Sequence, residues 1–128
     1  MGTSDAKALE VIDAFIASFN AGDLAAHLAT LNFPHVRIAG GRVSVWQDAA
    51  EMGKALASDL PKRIEPDWHH SVFDSKEIIH TSAAKVHVAV QFTRYDQRGA
   101  KIATYQAVYV VTCLDGHWGI QARSSFAP

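Results

Sequence analysis

Residues 84–126 read AKVHVAVQFTRYDQRGAKIATYQAVYVVTCLDGHWGIQARSSF. Three long segments of alternating apolar and polar character are separated by Asp96-Gln97-Arg98-Gly99, which suits a four-residue loop, and by Asp115-Gly116, a two-residue hairpin signal. Taken literally, these turns set a register. Val90 falls opposite Tyr105 and Tyr105 opposite Phe126. Val86 falls opposite Tyr109 and Tyr109 opposite Ala122, while Val111 meets Ile120 and Cys113 meets Trp118. One face then gathers Val86, Val88, Val90, Phe92, Tyr105, Tyr109, Val111, Trp118, Ile120 and Phe126. The other gathers His87, Gln91, Thr104, Gln106, Val108, Val110, Gln121 and Arg123. The two registers come from separate turns, yet both sort the apolar side chains onto one face, as a half-buried antiparallel sheet requires.

Working outward, residues 68–80 read as a further strand, so strands at 68–80, 84–95, 101–114 and 117–126 form a meander. Before them, Gly40-Gly41 lies between Val36-Arg37-Ile38-Ala39 and Arg42-Val43-Ser44-Val45-Trp46 and predicts a tight hairpin. That turn pairs Ile38 with Val43 and Val36 with Val45 on one face. His35 opposite Trp46 and Arg37 opposite Ser44 occupy the other.

The remaining segments have helical period. Leu9, Ile12, Ile16 and Phe19, widened by Val11 and Phe15, form one apolar stripe, with Thr3 or Ser4 as cap and Asn20-Ala21-Gly22 as stop. Asp23 caps a short second helix whose Leu24, Leu28 and Leu31 share a face until Pro34. Asp48-Ala49-Ala50-Glu51 resembles a capping box, opening a third helix that carries Met52, Leu56 and Leu60 as far as Pro61.

The chain has 128 residues, 48% of them hydrophobic and 20% charged, which predicts one domain with a real core. Twelve Lys+Arg against thirteen Asp+Glu give a net charge of -1, which argues against a general nucleic-acid partner. No apolar run approaches the roughly 20 residues that span a bilayer and no secretory leader is legible, so the expectation is a cytoplasmic protein without a membrane partner. Cys113 alone leaves neither an internal disulfide nor a cysteine-based zinc site.

A sheet with one apolar face needs a cover, and the three helices supply it, giving an α+β domain with helices packed on the concave face of a curved, mostly antiparallel sheet. This order of elements, the closing segment Asp115-Gly116-His117-Trp118-Gly119-Ile120-Gln121 and the helix junction from Phe15 to Asp23 resemble the nuclear transport factor 2-like superfamily, in its polyketide-cyclase-like and uncharacterised branches. The resemblance implies a cone-shaped fold with a pocket between sheet and helices, and a homodimer built on the outer sheet face. On this chain that face carries His87, Gln91, Gln106, Val108 and Arg123. The superfamily hosts isomerases, dehydratases, cyclases, binders and transport factors, so the fold does not choose among them.

Within such a pocket Tyr105 and Tyr109 can donate to a carbonyl or enolate oxygen, or pack with their hydroxyls bonded internally. His70 and Asp74, with Trp68 beside them, form a candidate proton-transferring pair if the turn after His80 has three residues. A two-residue turn points Ser71, Phe73 and Ser75 inward instead. His35, Arg37 and Trp46 can rim the mouth, or form a solvated hairpin face; Arg37 and Arg94 suit an anion. His69-His70 has no third ligand at useful spacing, so no metal site is expected. No glycine-rich phosphate loop precedes a helix, so no cofactor is expected. Two functions follow. One is a cofactor-free isomerase, dehydratase or cyclase acting on a small apolar carbonyl or carboxylate compound. The other is a non-catalytic binding or interaction module.

Overall fold

The computed structural model describes residues 2–128, apart from the side chains of 59–63. The elements are α1 (Thr3–Ala21), α2 (Leu24–Leu28), β1 (Leu31–Ala39), β2 (Arg42–Trp46), α3 (Ala49–Arg63), β3 (Trp68–Thr81), β4 (Lys85–Asp96), β5 (Lys101–Leu114) and β6 (His117–Ser125). The six strands form one sheet in the order β2-β1-β6-β5-β4-β3. Only the β1–β6 pair is parallel; the rest are antiparallel. No helix among the described residues is long and apolar enough to cross a membrane.

The apolar stripe of α1 lies across β3–β6. Ala8, Ile12 and Phe15 join Val86, Val88, Val90, Val111 and Ile120 in the core, and Met52 and Leu56 of α3 complete it. The third side chain of the α3 stripe, Leu60, lies outside the described side chains, and the helix runs through Pro61 to Arg63. Its start follows the capping-box expectation. The Glu51 amide donates to Asp48 Oδ1 at 2.9 Å, and Glu51 Oε2 accepts from the Gln47 amide.

Helix α1 ends on Gly22 in the left-handed region (φ 67°), where glycine has no Cβ to clash. Its start differs from expectation, since Gly2 occupies the cap position and no side chain caps it. Ser4 Oγ instead donates to the Ala83 carbonyl, and Thr81 Oγ1 donates to Asp5, so both polar groups fasten the helix to the β3–β4 turn. Helix α2 is capped by Asp23 as expected but ends at Leu28, because Thr30 Oγ1 and amide both close on the His27 carbonyl. Leu31 therefore opens β1, paired with Ile120, and is no part of a helix.

The β1–β2 hairpin has the expected register throughout, with Gly40 and Gly41 both at positive φ. The β5–β6 register holds from Leu114–His117 to Val111–Ile120. A bulge then leaves Gln121 unpaired, and Val110 meets Ala122 and Tyr109 meets Arg123. One extra residue turns every later side chain to the opposite face. Arg123, expected outside at a dimer interface, therefore lies inside, and Phe126, expected in the core, is 76% exposed.

Between β4 and β5 the register is displaced by two residues, with Val90 opposite Ala107 and Phe92 opposite Tyr105. The loop is longer by one and Ile102 bulges, so the face is conserved although each pairing changes.

Candidate functional site

A cavity of about 80 Å3 lies between α1 and the sheet, open on one side. Phe15 and Phe19 of α1, and Phe73 and Phe92 of the sheet, give it aromatic walls. His27, Arg37, Ser71, Arg94, Tyr109, Arg123 and Ser125 supply its polar groups, and Ala127 and Pro128 border it. Aromatic walls with a few convergent polar groups are the usual make-up of a small-molecule site.

Each polar side chain has a local reason for facing inward. Asn20, at the end of α1, pairs with the Ser71 backbone in both directions: its Nδ2 donates to the carbonyl at 2.8 Å and its Oδ1 accepts from the amide at 2.9 Å. This sets Ser71 and Phe73 toward the helix. Strand β3 also skips His69, Asp74 and Ile79 in its pairing with β4, which breaks simple alternation. His70 consequently faces away from the cavity and stacks on Tyr95 at 5.2 Å. Asp74 is exposed in the central bulge, accepting from Thr93 Oγ1 at 2.7 Å. The structure does not bring His70, Asp74 and Tyr105 together. Of the alternative inward set, Ser71 and Phe73 line the cavity, while Ser75 follows the bulge outward into a groove with Gln91 and Val108.

Tyr105 is also occupied elsewhere. Its hydroxyl donates to Glu65 Oε1 at 3.1 Å, and Glu65 accepts two bonds from Arg94 Nη1 at 3.1 and 2.9 Å. Burial raises Tyr105 above the ordinary phenol value, aided by the Glu65 charge. Burial also acts to raise Glu65, but its own backbone N–H, Arg94 and the Tyr105 hydroxyl outweigh that and hold its carboxyl below the usual range. Arg94 further lies over the Tyr105 ring at 5.0 Å.

Tyr109 differs in kind. It is buried against Phe15 and Phe73, and its hydroxyl has no hydrogen-bond partner among the described residues. Burial raises its pKa above the ordinary phenol value, while the charges of Arg123, Arg37 and Arg94 all act in the opposite sense. The Phe15 ring packs against both Tyr109, at 5.6 Å, and His27, at 4.5 Å. His27 Nδ1 lies 3.1 Å from Ser18 Oγ and 3.2 Å from the Phe15 carbonyl; the Ser18 hydroxyl proton is given to that same carbonyl at 3.0 Å, so Nδ1 donates and Nε2 keeps its lone pair. Burial, and then the Arg123 charge, lower His27 to about 4 and keep it neutral at neutral pH.

Three expected rim residues behave differently from one another. His35 is fully buried, not at the rim, because its face of the hairpin turns toward the core while Val43 on the other is 68% exposed. Burial and Arg123 lower His35 to about 3. Arg37 reaches the cavity, its Nη2 donating to the Ala127 and Pro128 carbonyls at 3.4 and 3.3 Å. Trp46 lies 6.1 Å from His35 and borders a separate small hollow beside Arg37. Trp68 braces the wall from behind, donating to Ser71 Oγ at 2.9 Å and packing edge-on against Phe19.

Of the candidate site residues named from the sequence, Arg37, Arg94 and Tyr109 line the cavity; His27, Arg123 and Ser125, which were not candidates, line it too, and Glu65 reaches Arg94 from beside it. His27 bordered the apolar stripe of its helix, which was the one available signal. No group of three or more metal-binding side chains occurs among the described residues.

Comparison with known proteins agrees with this architecture. A cystatin-like-fold protein of unknown function from Nostoc punctiforme is similar over 100% of this chain and 93% of its own, with TM-score 0.80 and 11% identity. An NTF-2 like protein of unknown function from Shewanella oneidensis matches over 95% and 98%, with TM-score 0.75 and 18% identity. A ketosteroid isomerase-like protein from Erwinia carotovora atroseptica matches over 98% and 97%, with TM-score 0.73 and 21% identity. These identities speak to fold alone. No functionally curated protein matches the chain. The family model described as NTF2-like protein (DUF6841) matches residues 5–125, so the chain belongs to that NTF2-like family.

Proposed function

We propose that the domain binds a small carbonyl compound with an apolar body in the cavity between α1 and the sheet, and moves a proton on it without a cofactor. In this reading Tyr109 donates to the carbonyl oxygen, where a directed hydroxyl stabilises developing negative charge. His27 Nε2 takes the proton, the part first considered for His70. The observation that carries the reading is that Tyr109, whose hydroxyl has no partner among the described residues, and His27 line one aromatic-walled cavity. Isomerisation, dehydration and cyclisation all use this donor–acceptor pair.

Binding without turnover is the second reading, and His27 itself favours it. An imidazole held at about 4 is a weak base at neutral pH. Native mass spectrometry of freshly purified protein, followed by denaturation to identify what is released, tests the binding. Exchange of α-protons of the identified compound in heavy water then separates the readings. Exchange that is lost in Tyr109→Phe and His27→Gln supports catalysis, whereas tight binding without exchange supports the second. An empty protein that also binds no member of a carbonyl and carboxylate panel sinks both.

A homodimer through the outer sheet face belongs to the same proposal, with Arg123 removed from it. His87, Gln91, Gln106 and Val108 remain there, joined by Phe126. A two-fold axis sets a patch against itself, and these side chains bring no like charges together when His87 is neutral. The same native mass spectrum reads the dimer, and a monomer at micromolar concentration would overturn it.

A further inference from the structure

We infer that the ligand carries a second acceptor oxygen, remote from the carbonyl met by Tyr109, and that the Ser71 hydroxyl donates to it. This rests on the cavity being a ligand site, as proposed above, and adds a contact residue and the spacing of the groups it recognises.

Ser71 lines the cavity and is only 5% exposed. The indole N–H of Trp68, which can only donate, gives its proton to Ser71 Oγ at 2.9 Å. The oxygen is thus engaged as an acceptor, while the hydroxyl proton has no acceptor among the described residues. A buried donor without an acceptor is costly, and folded proteins keep few of them. The Tyr109 hydroxyl, 5% exposed as a residue, is in the same position, so one cavity is lined by two uncharged donors in want of an oxygen.

Ser71 is also held as a contact residue needs to be. Asn20 takes both its amide and its carbonyl, and Trp68 is itself packed edge-on against Phe19 at 5.2 Å. The backbone and the hydroxyl oxygen are therefore fixed before a ligand arrives, which lowers the ordering cost of binding. A hydroxyl that already accepts one bond donates more strongly to the next, because linked hydrogen bonds polarise each other.

The spacing calls for two oxygens on the ligand. Strand β4 lies between the two donors, with Ser71 opposite Arg94 and Tyr109 opposite Val88. Two strand spacings across and six positions along β4 put their backbones on the order of 20 Å apart, measured along the sheet. The two side chains, with a hydrogen bond from each, together reach about 14 Å, which leaves roughly 6 Å between the oxygens they meet. In register Phe73 and Phe92 fall between the two donor positions, and both line the cavity. The ligand is therefore a compact apolar body lying along these rings with an acceptor at each end.

The test pair is 1,4-diacetylbenzene and 4-ethylacetophenone, which have nearly the same shape and differ by one carbonyl. Without a second donor the dicarbonyl compound binds more weakly, since it must shed more water. Ligand-observed NMR titration is expected instead to show 1,4-diacetylbenzene binding at least fivefold tighter. In Ser71→Ala that preference should vanish or reverse, with 4-ethylacetophenone affinity unchanged within twofold; a merely structural serine would weaken both compounds alike. If Ser71→Ala does not fold, the wild-type ratio decides. A preference that survives Ser71→Ala overturns the assignment of Ser71. In the wild type, 4-ethylacetophenone binding as tightly as the dicarbonyl compound overturns the second acceptor and leaves the pocket reading standing. Neither compound binding overturns the inference, and silence of the whole carbonyl panel overturns the pocket reading with it.

Discussion

Arg123 Nε donates to His35 Nε2 at 3.1 Å, while the opposite ring nitrogen of His35 donates to the Ile120 carbonyl at 2.8 Å. Ile120 and Arg123 flank the Gln121 bulge, so one buried imidazole from β1 clasps β6 on both sides of the irregularity that turns Arg123 inward. His35→Ala removes both bonds and leaves a cavity, and is expected to cost about 2–4 kcal/mol. Urea unfolding measures this. A loss below about 0.5 kcal/mol, the scale of ordinary surface substitutions, would mean that the bulge holds its shape without the clasp.

Acid sensitivity follows from the same ring and its neighbour. The folded protein holds His27 at about 4 and His35 at about 3, against 6.5 for an ordinary histidine. The unfolded chain therefore binds two protons, below its ordinary histidine value, that the folded chain refuses. Stability from these groups is complete above that value and falls as pH drops toward the folded values, by about 1.4 kcal/mol per pH unit for each proton. Chemical denaturation at a series of pH values from 7 to 5 should show the decline. His27→Gln should remove one proton from its slope; an unchanged slope would exonerate His27.

The two tyrosines should separate cleanly. Tyr109→Phe removes a hydroxyl with no partner among the described residues, so stability should change by less than about 1 kcal/mol. Ligand affinity or turnover should fall about tenfold or more, the scale of one lost hydrogen bond to charge. Tyr105→Phe instead frees one bond of Glu65 and should cost about 1 kcal/mol in stability with little effect on the ligand. Thermal unfolding paired with ligand titration reads both, and the reverse pattern would place the site at Tyr105.

At Gly119 the backbone of β1 lies close against β6. A Cβ there would lie 2.8 Å from the Leu31 carbonyl carbon and 2.9 Å from the Asn32 backbone nitrogen, and backbone cannot swing aside. Gly119→Ala should therefore destabilise by about 1–3 kcal/mol. Calorimetric melting checks it, and a wild-type transition would show that the strands can part at no cost.

Turn chemistry was legible because it is local. Gly40-Gly41 fixed its register throughout and Asp115-Gly116 fixed its own as far as Val111–Ile120, and the alternation of β4 and β5 survived a two-residue displacement because an even shift preserves faces. Bulges are set by contacts from distant parts of the chain, and their residues, Gln121 or Asp74, have nothing distinctive in sequence. Parity placed Arg123 outside and left His70 and Asp74 undecided, and only the pairing of whole strands settles either. Arg37, Arg94 and Tyr109 were readable as inward or anion-suited. Glu65 was not, since it belongs to the connection after α3, where no periodicity applies.

The skipped residues of β3, His69, Asp74 and Ile79, recur every five positions along the outermost strand of the sheet. A boundary strand ordinarily offers an unbroken row of amides and carbonyls on which another molecule can grow a seventh strand. Here each bulge bends the row and resets its donor spacing within a few residues, so no long complementary stretch can dock. The opposite boundary, β2, is only five residues long. The sheet is thereby protected from fibrillar growth at both margins, and at the long one by the same irregularities that turn Ser71 and Phe73 toward the cavity.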